Sequence, residues 1–218
     1  KTTKKWDSLN SHNTEAFLTE FGKQHQETMV LIQTDFGSMK IKLYQDVPVH
    51  RANFIFLTKI GYFNTTVFYR VAKNFVIQGG NSDEMYTQKE RRKYGNYLLK
   101  PEFRKKRTHK DGAIAAARQW EHNPNKLSSP FEFYIVQKRN GAHHLDNEHT
   151  VFGEVVEGLE VINTIEVFSI LGQKLLVKDN INEPKYVLNT FSLHKGVYFV
   201  KIYANNKVYV QRVFITNN

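Results

Sequence analysis

The sequence predicts a mainly β fold, a barrel or sandwich of many short strands with few helices. From Met29 the apolar residues recur with a period of two on both sides of a turn at DFGS, which predicts a β-hairpin with one buried face. Further strand-like runs follow at residues 67–71, 75–78, 113–117, 131–136 and 151–155. The 218 residues, 40% of them hydrophobic and 13% aromatic, suffice for one sizeable core and a small appendage.

Two helices are predicted from the residues that would begin and end them. Asn13 or Thr14 is a suitable N-cap for a short helix that ends at Gly22. We assign residues 1–27 to an N-terminal helical extension. A second helix is predicted to begin at Pro48 and to be stopped by Gly61, where a left-handed residue is needed.

Composition excludes several classes of site. The chain has no cysteine, so it has no disulfide, no thiolate nucleophile and no cysteine-ligated zinc. No apolar run approaches the roughly eighteen residues of a membrane span. The chain begins without Met, which leads us to expect a processed or trimmed N-terminus.

The chemistry-bearing residues concentrate in FYRVAKNFVIQGG, residues 68–80, where Arg70, Phe75 and Gln78 are expected around one pocket. This segment resembles the signature of the cyclophilin-type peptidyl-prolyl cis/trans isomerases. Three further blocks resemble the family in its order, namely GAIAAAR at 112–118, SSPFEFYIV at 128–136 and HLDNEHTVFGEVVEGLEVI at 144–162.

The resemblance covers roughly residues 29–165 and implies a fold and an activity. The implied fold is a closed eight-stranded β-barrel with two or three helices, over residues 28–165. The implied reaction is rotation about X-Pro bonds of client proteins, which crosses a barrier of about 18–20 kcal/mol without a covalent step. Accordingly we expect no cofactor, and we expect a monomer.

The resemblance also assigns the site residues. Arg70, Phe75 and Gln78 are the catalytic residues, and Arg70 would hydrogen-bond the prolyl nitrogen of the twisted amide. The apolar floor would comprise Phe75, Val76, Tyr134 and Leu145, with His149 on the rim. The flanking peptide would be bound by Gln78, the backbone of Ala117 and Arg118, and Glu132.

Other interpretations of these residues stay open. Taken singly, Phe75, Val76 and Leu145 are also consistent with ordinary core residues. The histidines of the loop at 143–149, with Asp146, fit no HExxH helix, so we expect no metal. On the same fold, a non-catalytic scaffold that binds proline peptides is the alternative function.

Two substitutions set this chain apart from the family pattern. Glu132 stands where the family usually has glutamine, and it would compete with substrate if it pairs with Arg70. The alternatives are that Glu132 points to solvent or pairs with Arg118. His144 replaces a pocket tryptophan, so cyclosporin binding is expected to be weak.

A basic segment, residues 89–110, holds ten lysines and arginines and two glutamates, which supplies eight of the formal net charge of +10. Nucleic-acid binding would use these cations with nearby aromatic residues. Because no nucleic-acid motif is present, we favour an enlarged, solvated loop between strands.

The last segment, residues 166–218, departs from the family and contains further strand-like runs. ILGQKLLVK and SLHKGVYFVKI resemble the end of a type IX secretion sorting domain, a small bacterial β-sandwich. This resemblance implies a bacterial protein that is exported to the periplasm, the cell surface or the medium, although a cytoplasmic location is left open. Alternatively, residues 173–178 close the barrel and the remaining strands form a hairpin.

Overall fold

The computed structural model describes residues 8–34, 37–72, 75–159, 164–179, 189, 192–204 and 207–216. These residues belong to two compact units. The first lies within residues 1–30 and 40–156, and the second within residues 31–39 and 157–218. Within the described ranges, no helix is long and apolar enough to cross a membrane.

Helices occupy a minor part of the described residues. The α-helices are α1 (Thr14–Gln24), α2 (Pro48–Lys59) and α3 (Met85–Tyr94), and two short 3-10 helices span Tyr62–Thr65 and His143–Leu145. Helix α2 begins at the predicted proline. It ends at Lys59, and Gly61, two residues further on, adopts a left-handed φ of 76°, as predicted.

Seven strands form the larger sheet, in the order β1-β2-β7-β5-β6-β4-β3. They are β1 (Met29–Thr34), β2 (Gly37–Leu43), β3 (Arg70–Ala72), β4 (Val76–Gly79), β5 (Ala113–Ala116), β6 (Phe133–Val136) and β7 (Val151–Glu157). The predicted mainly β fold is therefore confirmed, and each predicted strand overlaps an observed one. Strand β2 has the predicted single buried face, because Met39, Ile41 and Leu43 are almost fully buried.

The prediction that α1 ends at Gly22 is wrong, because the helix continues to Gln24. A Cβ atom at Gly22 would lie 3.1 Å from the Cβ of Ala52 in α2. The glycine therefore permits close approach of two helices instead of ending one. Leu18 of α1 and Leu57 of α2 are buried in the same core cluster, so α1 packs as part of the first unit.

The prediction of a loop throughout residues 89–110 is also wrong in part, since α3 continues to Tyr94. Six of the ten basic side chains in this segment form ion pairs. They are Arg91, Lys93, Lys100, Lys106, Arg107 and Lys110. Much of the positive charge is thus compensated by carboxylates of the protein itself, which supports the favoured interpretation of this segment over phosphate binding.

The second unit contains a separate four-stranded sheet of order β11-β10-β8-β9. Its strands are β8 (Thr164–Ser169), β9 (Lys174–Asp179), β10 (Gly196–Ala204) and β11 (Lys207–Ile215). Strand β9 pairs with β8, so it does not close the barrel as the alternative prediction held. The predicted chain break at residues 182–184 lies outside the described residues. The domain boundaries at 27/28 and 165/166 stay predictions.

Candidate active site

The catalytic residues predicted from the sequence lie on adjacent strands. Arg70 is paired with Gln78 between β3 and β4, and Gln78 is paired with Tyr134 between β4 and β6. Directly paired residues of neighbouring strands project from the same face of a sheet. The register therefore aligns Arg70, Gln78 and Tyr134 in one row. The Arg70 guanidinium is exposed, and its Nη1 donates a hydrogen bond of 3.3 Å to Gln78 Oε1.

Apolar and aromatic side chains accompany this row. Val76, Tyr134 and Leu145 are buried. Phe75 is half-buried and stacks on His144, with ring centroids 5.4 Å apart and an interplanar angle of 22°. The contact between Phe75 and His144 brings together the two sequence blocks that were expected to line the pocket.

His149, the predicted rim residue, is buried. It is 7% exposed and its Nδ1 is 3.1 Å from the carbonyl oxygen of Ala116. Burial is the main reason that the pKa of His149 falls to about 4, and the carbonyl hydrogen bond only partly opposes the shift. His149 is therefore a neutral imidazole at physiological pH, packed edge-on against Tyr134 with ring centroids 5.4 Å apart.

Ala117 and Arg118, whose backbone is predicted to bind the flanking peptide, also make contacts within the protein, through the Ala117 backbone and the Arg118 side chain. The N–H of Ala117 donates to the Glu132 carbonyl at 2.9 Å, and its C=O accepts from Ser129 at 2.8 Å. The Ala117 backbone therefore extends pairing between neighbouring segments of the sheet, and its N–H is not free for substrate. The Arg118 guanidinium donates to the carbonyl oxygen and Oε2 of Glu148, each at 2.8 Å, and so anchors the loop that carries His149.

Glu132 pairs with neither of the arginines considered from the sequence. Its Oε1 accepts a hydrogen bond of 2.8 Å from Arg91 of α3 and one of 3.2 Å from Asn81. Its Oε2 accepts a hydrogen bond of 3.4 Å from the Tyr69 hydroxyl, which in turn accepts one from Gln78 Nε2. Tyr69 and Arg91 are thus neighbours of the site that were not predicted from the sequence. Arg91 is one of ten basic residues in the segment 89–110, and nothing in the sequence distinguishes it from the others. Tyr69 could have been considered, because it immediately precedes Arg70.

The observed ion pair of Glu132 with Arg91 determines the effect that we expect of Glu132→Gln on catalysis. Because the carboxylate is occupied by Arg91 rather than Arg70, we expect kcat/KM for a neutral proline peptide to stay within about twofold of the parent. The loss in free energy of unfolding should be at most about 1 kcal/mol, since the ion pair is partly exposed. Isomerisation rates of both proteins across a pH series test this. A marked gain in efficiency, with a changed acid limb, would mean that Glu132 pairs with Arg70 in solution.

An exposed guanidinium in one row with the buried Tyr134, on adjacent strands of a β sheet, is suited to a peptide that carries one apolar ring. The model of the family "Cyclophilin type peptidyl-prolyl cis-trans isomerase/CLD" matches residues 29–186. The chain therefore belongs to the cyclophilin-type peptidyl-prolyl cis-trans isomerase family.

Curated relatives carry the same family name in bacteria and eukaryotes. A peptidyl-prolyl cis-trans isomerase of Acinetobacter baylyi is 33% identical over 141 residues, which cover 63% of this chain and 71% of the relative. Peptidyl-prolyl cis-trans isomerase-like 3 of Gallus gallus is 32% identical over 139 residues, 63% of this chain and 81% of the relative. Isomerase-like 2 of Rhizopus delemar is 33% identical over 148 residues, 67% of this chain but only 26% of that longer relative.

Solved structures agree on the fold. A cyclophilin type peptidyl-prolyl cis-trans isomerase of Cryptosporidium parvum is similar with a TM-score of 0.51 and 26% identity, covering 62% of this chain and 80% of that one. A second structure of the same protein, in the presence of the dipeptide Ala-Pro, has a TM-score of 0.50, 26% identity and coverage of 61% and 81%.

Proposed function

We propose that this chain catalyses cis/trans rotation about X-Pro bonds in client polypeptides and thereby assists their folding. The observation that carries the proposal is the row formed by Arg70, Gln78 and Tyr134, which sets a guanidinium beside an apolar floor. A relative solved in the presence of Ala-Pro supports the choice of a proline peptide as substrate.

X-Pro isomerisation requires only a hydrogen-bond donor at the prolyl nitrogen and an apolar surface that binds the proline ring. In the planar ground state the prolyl nitrogen lone pair is delocalised into the carbonyl group, and it becomes a hydrogen-bond acceptor only as the bond twists. A donor placed at that nitrogen therefore stabilises the transition state more than the ground state. Arg70 supplies the donor, Gln78 holds its guanidinium, and the apolar floor holds the proline ring while the preceding carbonyl group rotates. No covalent intermediate or cofactor is required, and we expect the protein to act as a monomer.

A refolding experiment distinguishes this enzyme from a scaffold that only binds proline peptides. We expect catalytic amounts of the protein to accelerate the proline-limited refolding phase of a client protein, a phase that takes tens to hundreds of seconds without catalysis. A scaffold would bind the client without changing that rate. Acceleration that requires stoichiometric protein would contradict turnover.

We further expect weak binding of cyclosporin. His144 offers less apolar area than an indole, and it is already stacked on Phe75. His144→Trp should therefore tighten binding, by roughly tenfold or more if the indole N–H also finds a partner. Titration of both proteins with cyclosporin is the measurement. Tight binding by the parent, unchanged in the variant, would show that position 144 does not contact the inhibitor.

We also propose that residues 166–218 act in export, from their resemblance to the end of a type IX sorting domain. A separate β sheet built from β8, β9, β10 and β11 is compatible with such a module. The test is to express the full chain in a bacterium that has type IX secretion and in a matched strain that lacks it. We expect surface or secreted protein in the first strain alone. The same location in both strains would contradict the proposal.

A further inference from the structure

Hydrogen bonds join Tyr134 to His109 and His109 to Asp146, and the catalytic role proposed for Arg70 does not involve them. His109 is fully buried between Tyr134 and Asp146. Its Nε2 is 2.9 Å from the Tyr134 hydroxyl and its Nδ1 is 2.7 Å from Asp146 Oδ1. The His109 and Tyr134 rings lie nearly parallel, with an interplanar angle of 17°.

The direction of each hydrogen bond follows from the chemistry of the groups. Burial is the main reason that the pKa of His109 lies below its ordinary value of 6.5, so the ring is neutral at physiological pH and has one N–H. Asp146 is an ionised acceptor, because its hydrogen bonds with His109 and His143 outweigh burial and hold its pKa below 3.8. The single N–H of His109 therefore lies on Nδ1 and points to Asp146. Its Nε2 is left as an acceptor, and the Tyr134 hydroxyl must donate to it.

The carboxylate of Asp146 is itself held in place. Its Oδ1 also accepts the backbone N–H of His109 at 2.8 Å, and its Oδ2 lies 2.9 Å from His143 Nδ1. Asp146 directly follows Leu145, a buried residue that is predicted to belong to the same apolar floor as Tyr134. One short chain of hydrogen bonds thus joins Tyr134 to the segment that carries Leu145.

We propose that His109 and Asp146 are positioning residues that fix the Tyr134 ring as the floor of the proline pocket. The role of the floor rests on the proposed isomerase function. Removing the acceptor for the phenol should let the ring shift, and a displacement of a fraction of an ångström moves the proline ring relative to Arg70. Such misplacement lowers kcat more than it weakens ground-state binding, because the hydrogen bond from Arg70 forms only in the twisted state.

Two substitutions at His109 test its contact with Asp146 and its contact with Tyr134 separately. Asn places its side-chain N–H₂ near the position of Nδ1, so His109→Asn keeps a donor for Asp146 but loses the acceptor for Tyr134. Gln reaches the position of Nε2, so His109→Gln retains an acceptor for the phenol. Tyr134→Phe removes the hydroxyl from the other side, and the double variant His109→Asn with Tyr134→Phe closes a double-mutant cycle.

The experiment measures kcat and KM for a proline peptide, together with the NMR resonances of the Tyr134 ring in the free proteins. We expect His109→Asn to lower kcat by roughly tenfold with KM within about twofold, and His109→Gln to recover most of that loss. In the Tyr134→Phe background, His109→Asn should cost at most about twofold further, since the contact is already gone. The ring resonances should move in His109→Asn and return toward the parent positions in His109→Gln.

Two results would overturn the proposal. One is a kcat for His109→Asn within twofold of the parent with unmoved ring resonances. The other is an equal fall in kcat when His109→Asn is made with and without the Tyr134 hydroxyl, which would mean that His109 acts by another route. If the parent itself does not turn over the peptide, the proposed function fails, and the positioning role is then decided by the ring resonances alone.

Discussion

Arg70→Ala should lower kcat/KM for a proline peptide by roughly 10²–10³-fold, the loss typical when one donor to a developing lone pair or charge is removed. The side chain is exposed on the edge strand β3, where it contributes little buried area. Its hydrogen bond with Gln78, at 3.3 Å, is long. The free energy of unfolding should therefore change by no more than about 0.5 kcal/mol.

Arg70→Lys is the matched control for charge. Lysine keeps the cation but lacks the planar, forked set of donors that can serve Gln78 and the substrate together, so most of the loss should persist. Rates are measured at subsaturating and saturating peptide, with denaturant titrations of each variant. If Arg70→Ala retains a kcat/KM near that of the parent, the guanidinium has no role in the transition state.

Glu102→Ala should cost about 2–4 kcal/mol of unfolding free energy, because a partly buried carboxylate that caps a helix distant in sequence is lost. Helix α2 has Val47 at its N-cap and no acidic residue in its first turn. Glu102 supplies what is missing: it accepts the backbone N–H groups of Val49 at 3.2 Å and of His50 at 2.9 Å. The same carboxylate lies 2.7 Å from His50 Nδ1.

Acidification should remove part of the stability that the Glu102 carboxylate gives to the parent protein. Burial alone would raise the pKa of Glu102, but its hydrogen bonds with His50 and Val49 hold the pKa below the ordinary 4.5. A carboxyl group with a depressed folded-state pKa contributes its full stability above the unfolded pKa and loses it as pH falls through the folded pKa. The difference in stability between parent and Glu102→Ala should thus shrink at acidic pH.

Glu102→Gln keeps one acceptor oxygen for the helix and should lose roughly half as much stability as Glu102→Ala. Urea titrations of the three proteins at neutral and acidic pH give the comparison. A cost below about 0.5 kcal/mol for Glu102→Ala at neutral pH would show that solvent caps α2 instead.

What the sequence predicted well is local. Arg70 on β3 and Gln78 on the adjacent strand β4 are only eight residues apart, so a short sequence motif was enough to predict that their side chains lie close together. The alternation of apolar and charged residues in β2 likewise identified its buried face, because every second residue of a strand points the same way.

What the sequence did not predict depends on contacts between distant segments. Glu102 and the N-terminus of α2 are 52 residues apart along the chain, and Glu132 and Arg91 are 41 apart. The spacing of apolar residues along the chain carries no information about such pairs of distant residues. Nothing in the basic segment distinguishes His109 from its polar neighbours, although His109 is fully buried. The contact of Gly22 with Ala52 of α2 could not be predicted from the sequence around Gly22, so this glycine was interpreted as the end of the helix.

Catalysis of X-Pro rotation can be observed without a client protein, by exchange NMR on an Ala-Pro peptide. Without an enzyme, the cis and trans resonances interconvert over tens to hundreds of seconds and give no exchange cross peaks. With a small fraction of the full chain present, cross peaks should appear and grow with its concentration, and they should vanish when Arg70→Ala replaces it. Peptide resonances that broaden or shift on binding, yet show no exchange cross peaks at any concentration of the chain, would mean that the protein binds proline peptides without catalysing their isomerisation.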